Sequence, residues 1–445
     1  MSAFLDNWLA QRAETCPDRL AIRAGDLDLT YAELELEAAS TARRLAARGV
    51  RRGATVAIGI EPGPEYAAVL HGLMKLGAVA QPLNTRHSEA ERGAELERAQ
   101  PALVLNSPLD LTAAEADMPL LGEHDLEAIH CRLLTSGTSG APRAVGLTYG
   151  NFLWSAVGSA FNLGVDPSDR WLCCLPLYHV AGLSILMRSV IYGTGAVIHD
   201  GFDPDRVARS LAEDRVTLVS LVTTQLVRLF EAEVDLSGPR AIVVGGGPVP
   251  VDVIDEAASR GATVVQTYGM TETCSQVTTL SPAEARSKAG SAGRPLLTTH
   301  LRIQDGEILV QGPTVAPGMA DEDGWLHTGD LGRIDEDGFL YVEDRLGDLI
   351  VTGGENVLPA ELEAVLLGHP DVADAAVVGR PDGQWQEAVT AVVVLRDGAA
   401  PDAEALREHC AAALAGFKVP KRFEFVDALP RTASGKLRRR ELREP

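Results

Sequence analysis

Residues 133–145 read LLTSGTSGAPRAV. Gly137 and Gly140 stand among Thr135, Ser136, Thr138 and Ser139, and Arg143 follows directly after Pro142. Glycines let successive backbone N–H groups turn toward an anion, hydroxyls add donors, and a guanidinium adds a permanent charge. The chemistry on offer is the cradling of phosphate. No Gly-Lys-Ser/Thr follows at the Walker offset, so the stretch is not a P-loop of that type. A Ser/Gly linker has the same local composition, and these residues alone leave both readings open.

Other stretches place reactive groups at turns. TYGMTE (267–272) closes a strand pattern with Tyr268, Gly269, Thr271 and Glu272, and GGGP (245–248) closes another with Gly245, Gly246 and Gly247. In open α/β sheets, ligands sit beyond the carboxyl ends of strands. GWLHTGDLG (324–332) puts Asp330 in a turn. DRLGDLIVTGGENVLPAELE (344–363) puts Arg345, Gly353 and Gly354 ahead of a helix, and LPRTASGKLRRREL (429–442) sets Lys436 in a basic tail. Singly, each has a bland reading as a solvated acid or a surface lysine. Arg188, in LSILMRSVIYG, is different: Ile185, Ile191 and Tyr192 neighbour it on a helix. A cation among apolar residues is costly unless paired. Its partner is either a buried Asp or Glu or a carboxylate on the substrate.

The elements that would hold these residues alternate between helix and strand. TYAELELEAASTARRLAARGV is a helix with Thr30 as N-cap and Gly49 as its stop. EYAAVLHGLMKL is a helix that breaks at Gly77, ahead of a strand ending at Pro82. The same rhythm returns in RWLCCLP, LSILMRSVIYG, GAVIHD, DPDRVARSLAED, VTLVSLV, RAIVVGGG and ATVVQTYG. It predicts an α/β fold with buried parallel strands. From about residue 296 short strands and tight turns take over, and a small helix–strand–strand–helix unit of roughly 100 residues closes the chain.

Composition narrows the partners. Of 445 residues, 46% are hydrophobic and 23% charged, ordinary values for a globular enzyme, and the length favours more than one domain. The formal net charge of -22 opposes nucleic acid and anionic membrane surfaces alike. The six cysteines form no C-x-x-C pair and no metal-like spacing with histidine, which suits a reducing compartment. With no signal peptide pattern and no apolar run of membrane-spanning length, a cytoplasmic protein is expected.

Taken together and in this order, the motifs resemble those of the adenylate-forming acyl-CoA synthetases, the AMP-binding superfamily that also holds adenylation domains and luciferases. The resemblance covers nearly the whole chain. It implies a large N-terminal domain (1–344) of parallel and mixed sheets with flanking helices and a β-barrel-like subdomain. A small mobile α+β domain (345–445) would follow, turning about a hinge near Arg345–Asp348. ATP, Mg²⁺ and CoA are the implied cofactor and co-substrates. Carboxylate would attack the α-phosphorus, and CoA thiol would then displace AMP. Thr135, Ser136, Gly137, Thr138, Ser139, Gly140 and Arg143 match the phosphate loop. Thr271 matches the α-phosphate contact and Glu272 the Mg²⁺ ligand. Gly246, Gly247 and Tyr268 match the adenine wall, Gly245 and Gly269 fall in the same cofactor-binding motifs, and Asp330 and Arg345 match the ribose contacts. Gly353 and Gly354 match the pantetheine segment, and Lys436 the catalytic lysine. The basic cluster Lys418, Lys421, Arg422 and Arg438–Arg440 is either a solvated tail or an attractor for CoA or ATP phosphates.

Two stretches, LPLYHVAGLSILMRSVIYG (175–193) and QTYGMTETCSQVTTLSPAEARSKAGSAGRPL (266–296), are similar to those of the o-succinylbenzoate–CoA ligases of menaquinone biosynthesis. That likeness implies a small diacid partner and an acyl pocket of His179, Arg188, Gln266 and Ser275, with Arg188 on the substrate's second carboxylate. It also implies a homo-oligomer. Three positions depart from the pattern: Arg143 replaces a lysine, Gly347 stands at a hinge site that is commonly Asp or Lys, and Ala181 replaces a serine of some of these ligases. The alternatives are another aryl- or medium-chain carboxylate–CoA ligase, an adenylation enzyme loading a carrier protein, or an ATP-binding regulator without turnover.

Overall fold

The computed structural model describes residues 3–443 apart from 88, 111, 136–142, 248, 353–354, 383–384, 415, 432–434 and 436. It divides into two compact units. The first comprises Met1–Leu301, Val310–Leu326 and Gly338–Leu340; the second comprises Arg302–Leu309, His327–Asp337 and Tyr341–Pro445. The strand-rich stretch after residue 300 is therefore shared between the units, and the second unit takes in more of the chain than residues 345–445.

Among the described residues, the first unit has two large sheets. One has five strands in the order Leu103–Leu105, Thr55–Ile58, Val79–Pro82, Ile129–Thr135 and Arg143–Thr148, all parallel except the last pair. The other has nine, in the order Arg294–Pro295, Ser275–Thr279, Val264–Met270, Ala241–Val244, Leu218–Leu221, Arg170–Cys173, Gly195–Ile198, Leu20–Ala24 and Leu27–Thr30. Its central strands are parallel, and its edges turn antiparallel. Leu218–Leu221 and Ala241–Val244 are buried at all or nearly all positions, which explains their unbroken apolar runs: both faces are covered. On one face Leu172, Val219, Ile242 and Val264 pack with Val207, Leu226, Leu229 and Ile254 from the intervening helices.

Local signals set the element ends. Thr30 caps the helix Tyr31–Ala47 in a full capping box with Glu33, and Gly77, in the left-handed region at φ 63°, ends Pro64–Leu76. Thr148 and Asn151 form a second capping box at the helix Tyr149–Leu163. Beside that helix, a ring stack joins His124 to Tyr149 at 4.4 Å and His130 to Tyr149 at 4.9 Å. His71, His124 and His130 are all buried, and burial pushes each imidazole down to about 3.

In the second unit a sheet runs Glu355–Val357, Ile350–Thr352, Gln386–Leu395, Val372–Asp382, with Arg422–Phe425 pairing parallel to Gln386–Leu395. Helices Pro359–Leu367 and Ala403–Ala413 close its core through Leu362, Leu366, Leu406 and Cys410. Among the described residues, no helix is long and apolar enough to cross a membrane.

Candidate active site

Register across the central sheet aligns Cys173, Ser220, Val243 and Val265. The segments leaving these strands therefore emerge along one carboxyl edge, where open α/β sheets bind ligands. Two of them touch. A β-carbon at Gly245 would lie 2.8 Å from Thr267 Cγ2, and Gly246 adopts φ 83°, so the glycine turn presses against the strand that carries Tyr268 and Gly269.

That strand ends in a constrained turn. Gly269 lies at a register shift, and a β-carbon there would sit 1.6 Å from the Ser275 carbonyl oxygen. Thr271–Thr273 form one 3-10 turn, tied by the Met270 N–H donating to Thr273 Oγ1 at 3.1 Å. Cys274 and Ser275 follow with φ of 50° and 88°. Two successive non-glycine residues in this region store strain that the surroundings must hold, a pattern common at functional sites. The half-buried Glu272 is fixed through its carbonyl, which accepts from Ala316 N–H at 2.8 Å. Its carboxylate pairs with no described side chain. No cluster of three or more His, Cys, Asp or Glu with metal-binding geometry occurs among the described residues. A single carboxylate beside phosphate oxygens and water fits Mg²⁺, which is seldom caged by protein alone.

The two ends of the opening motif lie on paired strands. Thr135 pairs with Arg143 and Leu134 with Ala144 across antiparallel strands, and Thr135 Oγ1 donates to the Arg143 carbonyl at 3.4 Å. Both flanking strands belong to one sheet, so the segment is not a linker between domains. Ser136, Gly137, Thr138, Ser139 and Gly140 lie outside the described residues.

The helix Val180–Tyr192 carries the expected acyl-pocket residues. It starts close against its approach loop: a β-carbon at Gly182 would meet the Pro176 carbonyl oxygen at 2.5 Å. His179 is its N-cap residue, half-buried and edge-on to Tyr178 at 4.7 Å. Burial first, then the charge of Arg86, lowers its imidazole to about 4, so it is neutral at pH 7. Arg188 is 3% exposed. Its Nη2 donates to Ser155 Oγ at 3.1 Å, and its guanidinium lies 5.6 Å from the Trp171 ring centroid. Its Nε is buried with no acceptor, and no acidic side chain of the described residues pairs with it. Burial pushes its pKa down. Gln266 is buried and accepts from Gly290 N–H at 2.9 Å through Oε1. Ser155 and Trp171 escape the sequence reading. Neither sits in a motif, and only the packing of three separate segments brings them to Arg188.

In the second unit Asp330 is 6% exposed and accepts from Arg345 Nε at 2.8 Å, so the two expected ribose contacts are neighbours. Gly353, Gly354 and Lys436 lie outside the described residues. Much of the basic cluster is engaged: Lys418 donates to Glu361 at 2.7 Å, Arg422 to Asp382 at 3.2 Å, Arg438 to Glu441 at 2.9 Å, and Arg439 Nη2 to Glu363 at 2.8 Å. These carboxylates answer the charges that could otherwise attract phosphates.

The chain belongs to the AMP-binding enzyme family: residues 9–132 and 121–319 match the AMP-binding enzyme domain, and residues 361–436 its C-terminal domain. More particularly, it is 42% identical to a 2-succinylbenzoate–CoA ligase of Bacillus licheniformis, over 98% of this chain and 99% of that one. The ligase of the same name from Geobacillus kaustophilus is 43% identical over 99% and 97%. Among solved structures, o-succinylbenzoate CoA synthetase of Bacillus subtilis with its acyl-adenylate intermediate superposes with a TM-score of 0.93 at 39% identity, covering 100% of this chain and 99% of that one. The same enzyme has been solved with ATP and magnesium ion, also at TM-score 0.93, 39% identity and 99% and 100% coverage.

Proposed function

We propose that the protein is an ATP-dependent acid–thiol ligase that converts o-succinylbenzoate, ATP and CoA into o-succinylbenzoyl-CoA, AMP and pyrophosphate. The observation that carries this reading is Arg188: a cation 3% exposed, with no acidic partner among the described residues. Leaving a buried charge unanswered is expensive, and a substrate with a second carboxylate answers it. The full-length likeness to ligases of that name supports the same substrate.

In the first half-reaction a carboxylate oxygen bonds to the α-phosphorus as the bond to the pyrophosphate oxygen breaks. In the second, the CoA thiol releases its proton to solvent as its sulfur bonds to the acyl carbon, and AMP departs with the C–O electron pair. The first ground state brings anion toward anion, so fixed donors must offset the repulsion. We assign Thr135, Arg143 and the loop between them to the leaving phosphates, Thr271 to the α-phosphate, and Lys436 to the bridging oxygens during adenylation. Asp330 and Arg345 take the ribose, and Glu272 would hold Mg²⁺, which neutralises phosphate charge when bound. Neutral His179 serves as a wall of the acyl pocket. A carboxylate at neutral pH needs no base. The cytoplasm is the proposed compartment, since all six cysteines are free thiols.

The test is a panel of o-succinylbenzoate, benzoate and hexanoate, read by pyrophosphate release and thioester formation. The diacid is expected to be turned over best. Arg188→Ala should lower kcat/KM for the diacid roughly 100-fold, the scale of a lost charge-assisted contact, and change the monoacids little. Equal turnover of all three acids would refute the assignment.

A further inference from the structure

Ser155 links two parts of the site that no motif connects. It lies on the helix Tyr149–Leu163, 2% exposed. Its hydroxyl proton goes to the Cys274 carbonyl oxygen at 2.7 Å. With that proton committed, the oxygen can only accept, and it accepts from Arg188 Nη2 at 3.1 Å. Cys274 is the first of the two left-handed residues that end the turn bearing Thr271 and Glu272. A single hydroxyl thus joins the buried guanidinium to the strained backbone beside the residues assigned to the α-phosphate and Mg²⁺. Arg188 also lies 5.6 Å from the centroid of the Trp171 ring, whose Nε1 donates to Ser220 Oγ at 2.9 Å. The ring and the hydroxyl are two contacts that orient the guanidinium.

We propose that Ser155 is a positioning residue for diacid selection: held by its bond to the Cys274 carbonyl, it fixes the direction in which Arg188 presents its remaining donors. The inference rests on the functional reading above. A purely structural serine at this depth would satisfy the Cys274 carbonyl and nothing else, whereas here the same oxygen is the only described hydrogen-bond acceptor of Arg188. Removing the hydroxyl would leave both a carbonyl and a guanidinium N–H buried without partners.

The experiment is a double-mutant cycle on the wild type, Ser155→Ala, Arg188→Ala and the double variant, each with o-succinylbenzoate and benzoate, alongside thermal melting of each. Ser155→Ala is expected to lower kcat/KM for the diacid on the order of 10-fold, chiefly through KM, with benzoate changed less than about twofold. On the Arg188→Ala background the same substitution should have almost no effect on diacid kinetics. Ser155→Cys, which keeps a weak donor and acceptor, should recover part of the loss. A penalty equal for both acids, or equal on both backgrounds, overturns the inference while the wild-type preference for the diacid still stands. A wild type without that preference overturns the functional reading, and this inference with it. If Ser155→Ala proves too unstable to assay, Ser155→Cys carries the cycle, with the same outcomes deciding it.

Discussion

Arg143 and Arg188 are both arginines in expected site positions, and the structure gives them opposite settings. Arg143 is exposed at the start of the strand Arg143–Thr148, paired through its backbone with Thr135. Arg188 is buried on the helix Val180–Tyr192. Salt should therefore screen the first far more than the second. Arg143→Lys keeps the charge but exchanges a planar fork for a point charge. It is expected to raise KM for ATP several-fold and leave the reaction of supplied acyl-adenylate with CoA unchanged; half-reaction kinetics would register this, and an effect on thioester formation would contradict the assignment. Lys436→Ala should likewise block adenylation yet spare thioester formation from the adenylate. The arginine within an apolar helical run was legible in the sequence because its cost is local. Its hydroxyl and ring partners were not, because residues 155, 171 and 188 meet only through tertiary packing.

Elements with a clear period or a standard cap were legible: the Thr30 N-cap, the Gly77 stop and the apolar parallel strands all stand where the pattern puts them. The helix Tyr149–Leu163 was not, although it carries Ser155. Its sequence, YGNFLWSAVGSAFNL, is apolar on nearly every side and includes two glycines, so no stripe repeats at helical spacing. The helix Glu89–Ala99 fails for the opposite reason, being polar nearly all round with Gly93 inside it. Turn strain is equally silent: nothing in Cys274–Ser275 announces a left-handed backbone. Two glycines separate these cases by experiment. Gly269→Ala would drive a β-carbon into the Ser275 carbonyl and should destabilise by roughly 2–4 kcal/mol, with loss of adenylation. Gly93→Ala meets open space within a helix and should stabilise by about 0.5–1 kcal/mol. Urea midpoints would measure both, and a neutral Gly269→Ala would show the turn to be softer than its geometry implies.

Over the whole molecule, the buried histidines set an acid limit. His71, His124 and His130 are held neutral with imidazoles at about 3, whereas the unfolded chain protonates near the ordinary value of about 6.5. The unfolded state therefore binds more protons below that value, and stability falls as pH drops from about 6.5 toward 3, by up to roughly 1.4 kcal/mol per pH unit for each histidine. Chemical denaturation at pH 7.5 and 5 should show the decline, and His130→Leu should flatten the slope by about one proton. An unchanged slope would mean that His130 takes up its proton in the folded protein. Nothing in the sequence pattern foretold that two of them, His124 and His130, stack on Tyr149. Arg188 has a different consequence at this scale, one concerned with survival and not catalysis. A cation sealed away from its counter-charge makes the protein less resistant to unfolding before it meets its diacid than after. Melting temperature should therefore climb with o-succinylbenzoate alone, with no ATP or CoA present, and stay flat with benzoate. Inside a cell, proteases sample the transiently opened chain. The abundance of this enzyme would thus follow the supply of its precursor, with a shortage thinning the pool and a surplus preserving it.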